Sequence, residues 1–128
     1  MPLPTYQLPF IPGPTVGVVA SAAFTAGKFI TYASAAVASQ GVLARGVSLQ
    51  DAAIGDSVAI AVGGQAPMLT NTDVATNALT VGMAVTSAAD GTVMRATTGD
   101  EILGRSLSAS STAGQWVVIE FHREGVIA

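Results

Sequence analysis

Thr112-Ala113-Gly114-Gln115-Trp116-Val117-Val118-Ile119-Glu120-Phe121-His122 joins a glycine to the strongest run of β-forming residues in the chain. Its opening phrase is a small or β-branched pair, then glycine, two free positions and a β-branched aliphatic. The phrase recurs as Thr25-Ala26-Gly27-x-x-Ile30, Ala53-Ile54-Gly55-x-x-Val58 and Thr80-Val81-Gly82-x-x-Val85. Glycine takes a positive φ without steric cost, so each copy reads as a tight turn feeding a strand. The second and fourth copies follow a longer match, Val42-Leu43-Ala44-Arg45-x-Val47-Ser48 against Ile102-Leu103-Gly104-Arg105-x-Leu107-Ser108. An internal duplication is the reading this supports, with Arg45 and Arg105 at matching places, either solvated on their strands or paired with acids across the fold or a subunit boundary.

Period-2 phasing gives the strands faces. Aligned on the glycine, Val58, Ile60 and Val62 match Val117, Ile119 and Phe121, and these form the buried face. The opposite face of the last strand carries Trp116, Val118, Glu120 and His122, an aromatic residue beside charge that reads as a subunit interface. Ser57 to Val62, then Gly63-Gly64, then Gln65 to Thr70 reads as a hairpin, with Pro67 confining its strand to an edge or bulge. Asp90-Gly91 marks a second hairpin. Short helices remain open at 49–53 and 72–79, and Ala33 to Ala38 lacks the capping and apolar stripe of a helix.

The chain has 128 residues, no cysteine, 10% charged residues, and 5 basic against 8 acidic side chains. One domain of this size buries enough surface to need no disulfide or metal staple. Cysteine-dependent redox chemistry, catalysis and zinc binding are excluded. With so little positive charge, nucleic acid is not an expected partner. The apolar stretch from Val16 to Ala26 is about half of the ~20 residues a membrane span needs, so no membrane is expected either. No basic residue precedes Lys28 and prolines interrupt the start, which argues against a signal peptide and for synthesis in the cytoplasm.

The first fourteen residues hold five of the six prolines and no charge. They read as an extended arm with a reach of roughly 40 Å. Residues 1–24 are therefore expected to form the arm and 25–128 the β-domain. Leu3, Pro4, Tyr6, Leu8, Pro9, Phe10, Ile11 and Pro12 are its candidate contact residues, since an apolar extended segment suits a neighbouring protein surface.

No catalytic constellation, cofactor site or metal site emerges. His122 is the single histidine, no serine sits in a Gly-x-Ser-x-Gly context, and Asp100 and Glu101 as strand neighbours point to opposite faces. Gly27-Lys28 fails the phosphate-loop pattern at both flanks. The turn Val93-Met94-Arg95-Ala96 offers arginine where carrier domains that modify a hairpin lysine need lysine.

The Gly-x-x-Val units, Val47-Ser48-Leu49-Gln50-Asp51-Ala52-Ala53-Ile54-Gly55-Asp56-Ser57-Val58, the Asp90-Gly91-Thr92-Val93 turn, Leu103-Gly104-Arg105-Ser106-Leu107 and Ala113-Gly114-Gln115-Trp116-Val117-Val118-Ile119 together carry a resemblance. Over residues 25 to 122 their order resembles the small tailed-bacteriophage capsid decoration, or cement, proteins. The proline-rich start has no counterpart in that pattern. The resemblance implies an all-β fold, a small barrel or β-tulip-like sandwich of repeated turn-strand units. It further implies a non-enzymatic virion protein on the outer surface of an icosahedral capsid, with the major capsid protein as partner and a homo-oligomer, a trimer, as its form. A carbohydrate-binding β-module of a fibre or cell surface is the alternative, and the few aromatic residues count against it.

Overall fold

The computed structural model describes residues 13–37, 39–71 and 78–127. The candidate arm contacts from Leu3 to Pro12 lie outside the described residues, as do positions 72–77 of one segment left open to helix. Among these residues nine strands follow one another: β1 Thr15–Val19, β2 Phe29–Ile30, β3 Gly46–Ser48, β4 Ser57–Ala61, β5 Gly64–Leu69, β6 Ala84–Ser87, β7 Val93–Arg95, β8 Glu101–Ser106 and β9 Trp116–Val126. They form two antiparallel sheets, ordered β1-β4-β3-β2 and β5-β9-β8-β6-β7, with no helix among the described residues. The fold is all-β and sandwich-like, and neither sheet closes into a barrel.

The arm boundary expected at residue 24 falls inside the fold. Thr15–Val19 pairs with β4, and Val18, Ala20 and Phe24 are buried. The hairpin expected across Gly63-Gly64 does not form: β4 and β5 belong to different sheets. Both sides of β4 are already occupied, by β1 and β3, so the diglycine carries the chain across to the second sheet. Pro67 does lie in an edge strand, and Asp90-Gly91 does join a hairpin, β6 to β7.

All four phrase glycines have positive φ, +83° at Gly27, +88° at Gly55, +86° at Gly82 and +68° at Gly114. At Gly55 and Gly82 the turn closes on itself, with Asp56 N donating to Ala53 O and Met83 N to Thr80 O. At the other two a hydroxyl is inserted. Ser48 Oγ donates to Thr25 O and accepts from Lys28 N, and Thr70 Oγ1 donates to Thr112 O and accepts from Gln115 N. A fifth copy of the phrase, Thr97-Thr98-Gly99-x-x-Ile102, forms the same turn as Gly55 and Gly82, with Gly99 at +89° and Asp100 N donating to Thr97 O.

The duplication extends to whole sheets. The order β1-β4-β3-β2 is repeated by β5-β9-β8-β6, with β7 added at the edge. Gly27 N donates to Ser48 O and Ser48 N to Lys28 O; Gly82 N donates to Ser106 O and Ser106 N to Met83 O. Phe24 and Ala52 exchange both backbone hydrogen bonds, and so do Leu79 and Ser110. A Cβ on Gly46 would lie 2.2 Å from Ala61 O, and one on Gly104 2.1 Å from Glu120 O. Gly46 therefore corresponds to Gly104, Ser48 to Ser106 and Ala61 to Glu120. The sequence alignment of Arg45 with Arg105 is out of register by two residues, an even slip that keeps inward and outward faces in phase and so leaves no trace in the hydrophobic pattern.

Two clusters fill the interior. The larger lies between the sheets and includes Phe29, Val47 and Ala61 from one and Met68, Val85, Leu103, Val117, Ile119 and Phe121 from the other. The rings of Phe29 and Phe121 meet at 6.2 Å, within the range of favourable aromatic pairs. Val18, Phe24, Ile30, Val58 and Ile60 form the second cluster, against which Val62 packs. Val58 and Ile60 are thus buried like Val117 and Ile119, as the phasing requires, but in a different core.

Candidate functional site

The candidate interface residues of β9 occupy unlike surroundings. Trp116, opposite Leu69, is half-buried, and its ring fills the space a side chain on Gly27 would take, 2.5 Å from that Cβ position. Val118 is only 5% exposed, and its backbone accepts from Leu107 N and donates to Ser108 Oγ. Glu120 and His122 are exposed. The structure therefore places Glu120 and His122 on open surface and engages Trp116 and Val118 within the chain.

Beyond His122 the strand continues four residues further than the sequence indicated. Arg105 makes a two-pronged ion pair with Glu124, its Nε and Nη2 at 2.9 and 2.7 Å from the two carboxylate oxygens. The Arg105 hydrogen bond holds the Glu124 carboxyl below its ordinary range. Arg45 makes no ion pair among the described residues. Arg123 donates to the Tyr32 hydroxyl and lies 5.8 Å from the centre of its ring, tying the β9 tail to the turn after β2 in the other sheet. Tyr32 and Arg123 are 91 residues apart, and no spacing rule could have joined them.

A second polar group surrounds the β6–β7 turn. Asp90 Oδ1 accepts from Thr92 N and Thr92 Oγ1, with Asn71 Nδ2 at 3.5 Å. Partial burial raises the Asp90 pKa, but the Thr92 hydrogen bonds and the charge of Lys28 outweigh it, so the carboxyl sits below its ordinary value. Asp100 is buried and holds Thr97 N and Oγ1, while Glu101 is half-exposed. The Asp90 and Asp100 carboxylates brace turns.

Two open clefts occupy equivalent places in the duplicated halves. One, of about 580 Å³, lies beside the Phe24–Ala52 bridge and includes Lys28, Asp51 and Asp56; the other, of about 340 Å³, lies beside Leu79–Ser110 and includes Ser111, Thr112 and Gln115. Asp51 and Asp56 are each committed to a turn, accepting from Ala26 N and Ala53 N. His122 lines neither cleft. Among the described residues no group of three histidine, aspartate or glutamate side chains could hold a metal ion. Among the described residues no helix is long and apolar enough to cross a membrane.

No curated protein matches the chain. Its fold is similar to the crystal structure of the head fiber gp8.5 N base in bacteriophage phi29, with a TM-score of 0.67 over 89% of this chain and 98% of that one; at 16% identity the likeness is one of fold. Residues 11–121 match the family of phage cement proteins, and the chain belongs to that family.

Proposed function

We propose that this cement protein sits on the outer surface of a phage capsid, binds the major capsid protein and strengthens the shell without catalysing a reaction. The observation that carries this reading is the family match over residues 11–121, on a fold whose described carboxylates are mostly spent on turns and ion pairs. Many weak contacts repeated by symmetry stabilise a shell through multivalency. The apolar residues Leu3, Tyr6, Leu8, Phe10 and Ile11, with Pro4, Pro9 and Pro12 between them, grip the capsid. Copies associate as a homo-oligomer, a trimer, with Glu120 and His122 at the contact beside Trp116 and Val118. Synthesis in the host cytoplasm precedes assembly, and nucleic acid and membrane are not partners.

Mixing purified protein with undecorated expanded capsids and imaging them tests the reading: ordered density on the outer surface is expected, and bare capsids refute it. Deleting residues 2–12 should lower occupancy and leave the thermal transition of the β-domain in place. Unchanged occupancy rejects the arm as the grip.

A further inference from the structure

The duplicated sheets treat their equivalent edges differently. With Ala61 matched to Glu120, the pairings Thr15 with Ala61 and Gln65 with Glu120 make β1 the counterpart of β5, and Thr15, Gly17 and Val19 the counterparts of Gln65, Pro67 and Leu69. Val62 N donates to Pro14 O and Ala20 N to Asp56 O, so even-numbered residues of β1 face β4 and the backbone groups of Thr15, Gly17 and Val19 face outward. Thr70 N donates to Gln115 O, which gives β5 the same parity and turns Pro67 and Leu69 outward. On β5, Pro67 has no N–H, and Leu69 N donates to Gly27 O. That edge is blunted in the way exposed strands commonly are. On β1 the outward amides of Gly17 and Val19 have no partner among the described residues, the strand has no charge or proline, and a Cβ on Gly17 would meet nothing within 4 Å.

We infer that the free edge of β1 pairs antiparallel with β1 of a second copy about a twofold axis through Gly17. The parity fits. A symmetric pairing centred on residue 17 sets Thr15 opposite Val19, Gly17 opposite Gly17 and Val19 opposite Thr15, which are the residues whose N–H and C=O already point outward. Three such pairs form six hydrogen bonds. Glycine at the axis leaves no side chains to collide, and no like charges are brought together. The two four-stranded sheets become one of eight, an isologous contact compatible with a separate threefold contact elsewhere on the molecule.

Because the chain has no cysteine, a single introduced thiol reports the contact. Gly17→Cys sets two thiols on Cα atoms about 5.5 Å apart, within disulfide reach. Under mild oxidation it should form covalent dimer at least roughly tenfold faster than Val81→Cys, an equally open site in the turn before β6. Adding Val19→Pro, which removes an outward N–H and leaves the ladder to β4 intact, should bring the rate down to the control, with circular dichroism unchanged. Equal rates at positions 17 and 81, indifference to Val19→Pro, or coupling of position 17 solely to a capsid protein would overturn the pairing.

Discussion

Gly104→Ala should be among the most damaging single-methyl changes in the chain. Gly104 lies where β8 meets β9 at an irregularity in register, and an added Cβ would stand 2.1 Å from Glu120 O. Carbon and oxygen tolerate contact at about 3.3 Å, so the strands must part by about 1 Å. Overpacking of this kind costs about 1–3 kcal/mol, and strain on one or two ladder hydrogen bonds adds about 1 kcal/mol each. The lower entropy of an unfolded chain with alanine offsets about 0.4–1 kcal/mol. The net loss is about 2–4 kcal/mol, which for a domain of this size lowers Tm by roughly 8–16 °C.

The duplication supplies the second arm of the experiment. Gly46→Ala meets Ala61 O at 2.2 Å and should cost a similar amount, and because the two glycines lie in different sheets the double variant should be additive. Gly17→Ala, also in a strand but facing open space, should leave Tm unchanged or slightly raised. Urea and thermal denaturation of the four variants decide the matter. If Gly104→Ala and Gly17→Ala melt together, the close approach of β8 to β9 is not the reason for glycine and the equivalence with Gly46 loses its physical basis.

Thr92→Val removes the hydroxyl that holds Asp90 ionised. A carboxyl with a depressed folded pKa stabilises above its unfolded value near 3.8, and that stability is lost as pH falls through the folded value; the variant should therefore show a higher Asp90 pKa by carbon NMR and a flatter dependence of Tm on pH below about pH 4. An unmoved Asp90 titration would refute the assignment. Asp100→Ala strands Thr97 N and should cost about 1–3 kcal/mol by urea titration, while Asp100→Asn, which keeps an acceptor, should cost less. Gly27→Ala must displace the Trp116 ring and strain a positive φ, so the single tryptophan should red-shift in emission as stability falls; an unchanged spectrum would remove Trp116 from the Gly27 seat.

Much of this fold is legible because its turns depend on chemistry that local sequence displays. Gly27, Gly55, Gly82 and Gly114 announce positive φ, Asp90-Gly91 announces a hairpin, and Pro67 announces an edge. Gly63-Gly64 misleads because a turn dipeptide carries no information about whether the strand before it already has two neighbours. The buried face of β9 is legible by phase at Val117, Ile119 and Phe121. The cover over Val118 on the opposite face is not, because alternation cannot reveal that the segment containing Leu107 and Ser108 lies there. Arg123 and Glu124 escape notice since their partners lie on distant segments.

The two matching arginines show why duplication is better argued from backbone geometry than from identity. Arg45 and Arg105 align by eye, yet among the described residues only Arg105 finds an acid, and the residue facing the same strand crossing as Gly104 is Gly46. What the halves share is a set of hydrogen bonds and one close approach that requires glycine. What they do not share is concentrated in a few places: β7, the β9 tail with its Arg105–Glu124 pair, and the edge residues Gly17 and Pro67. A duplicated scaffold would expose two equivalent edges and so invite unlimited pairing. Blunting one with proline and a backbone cap while leaving the other bare converts that liability into a single, directional contact. The bare edge is also the strand that continues from the proline-rich segment, so the two features proposed for attachment meet at β1.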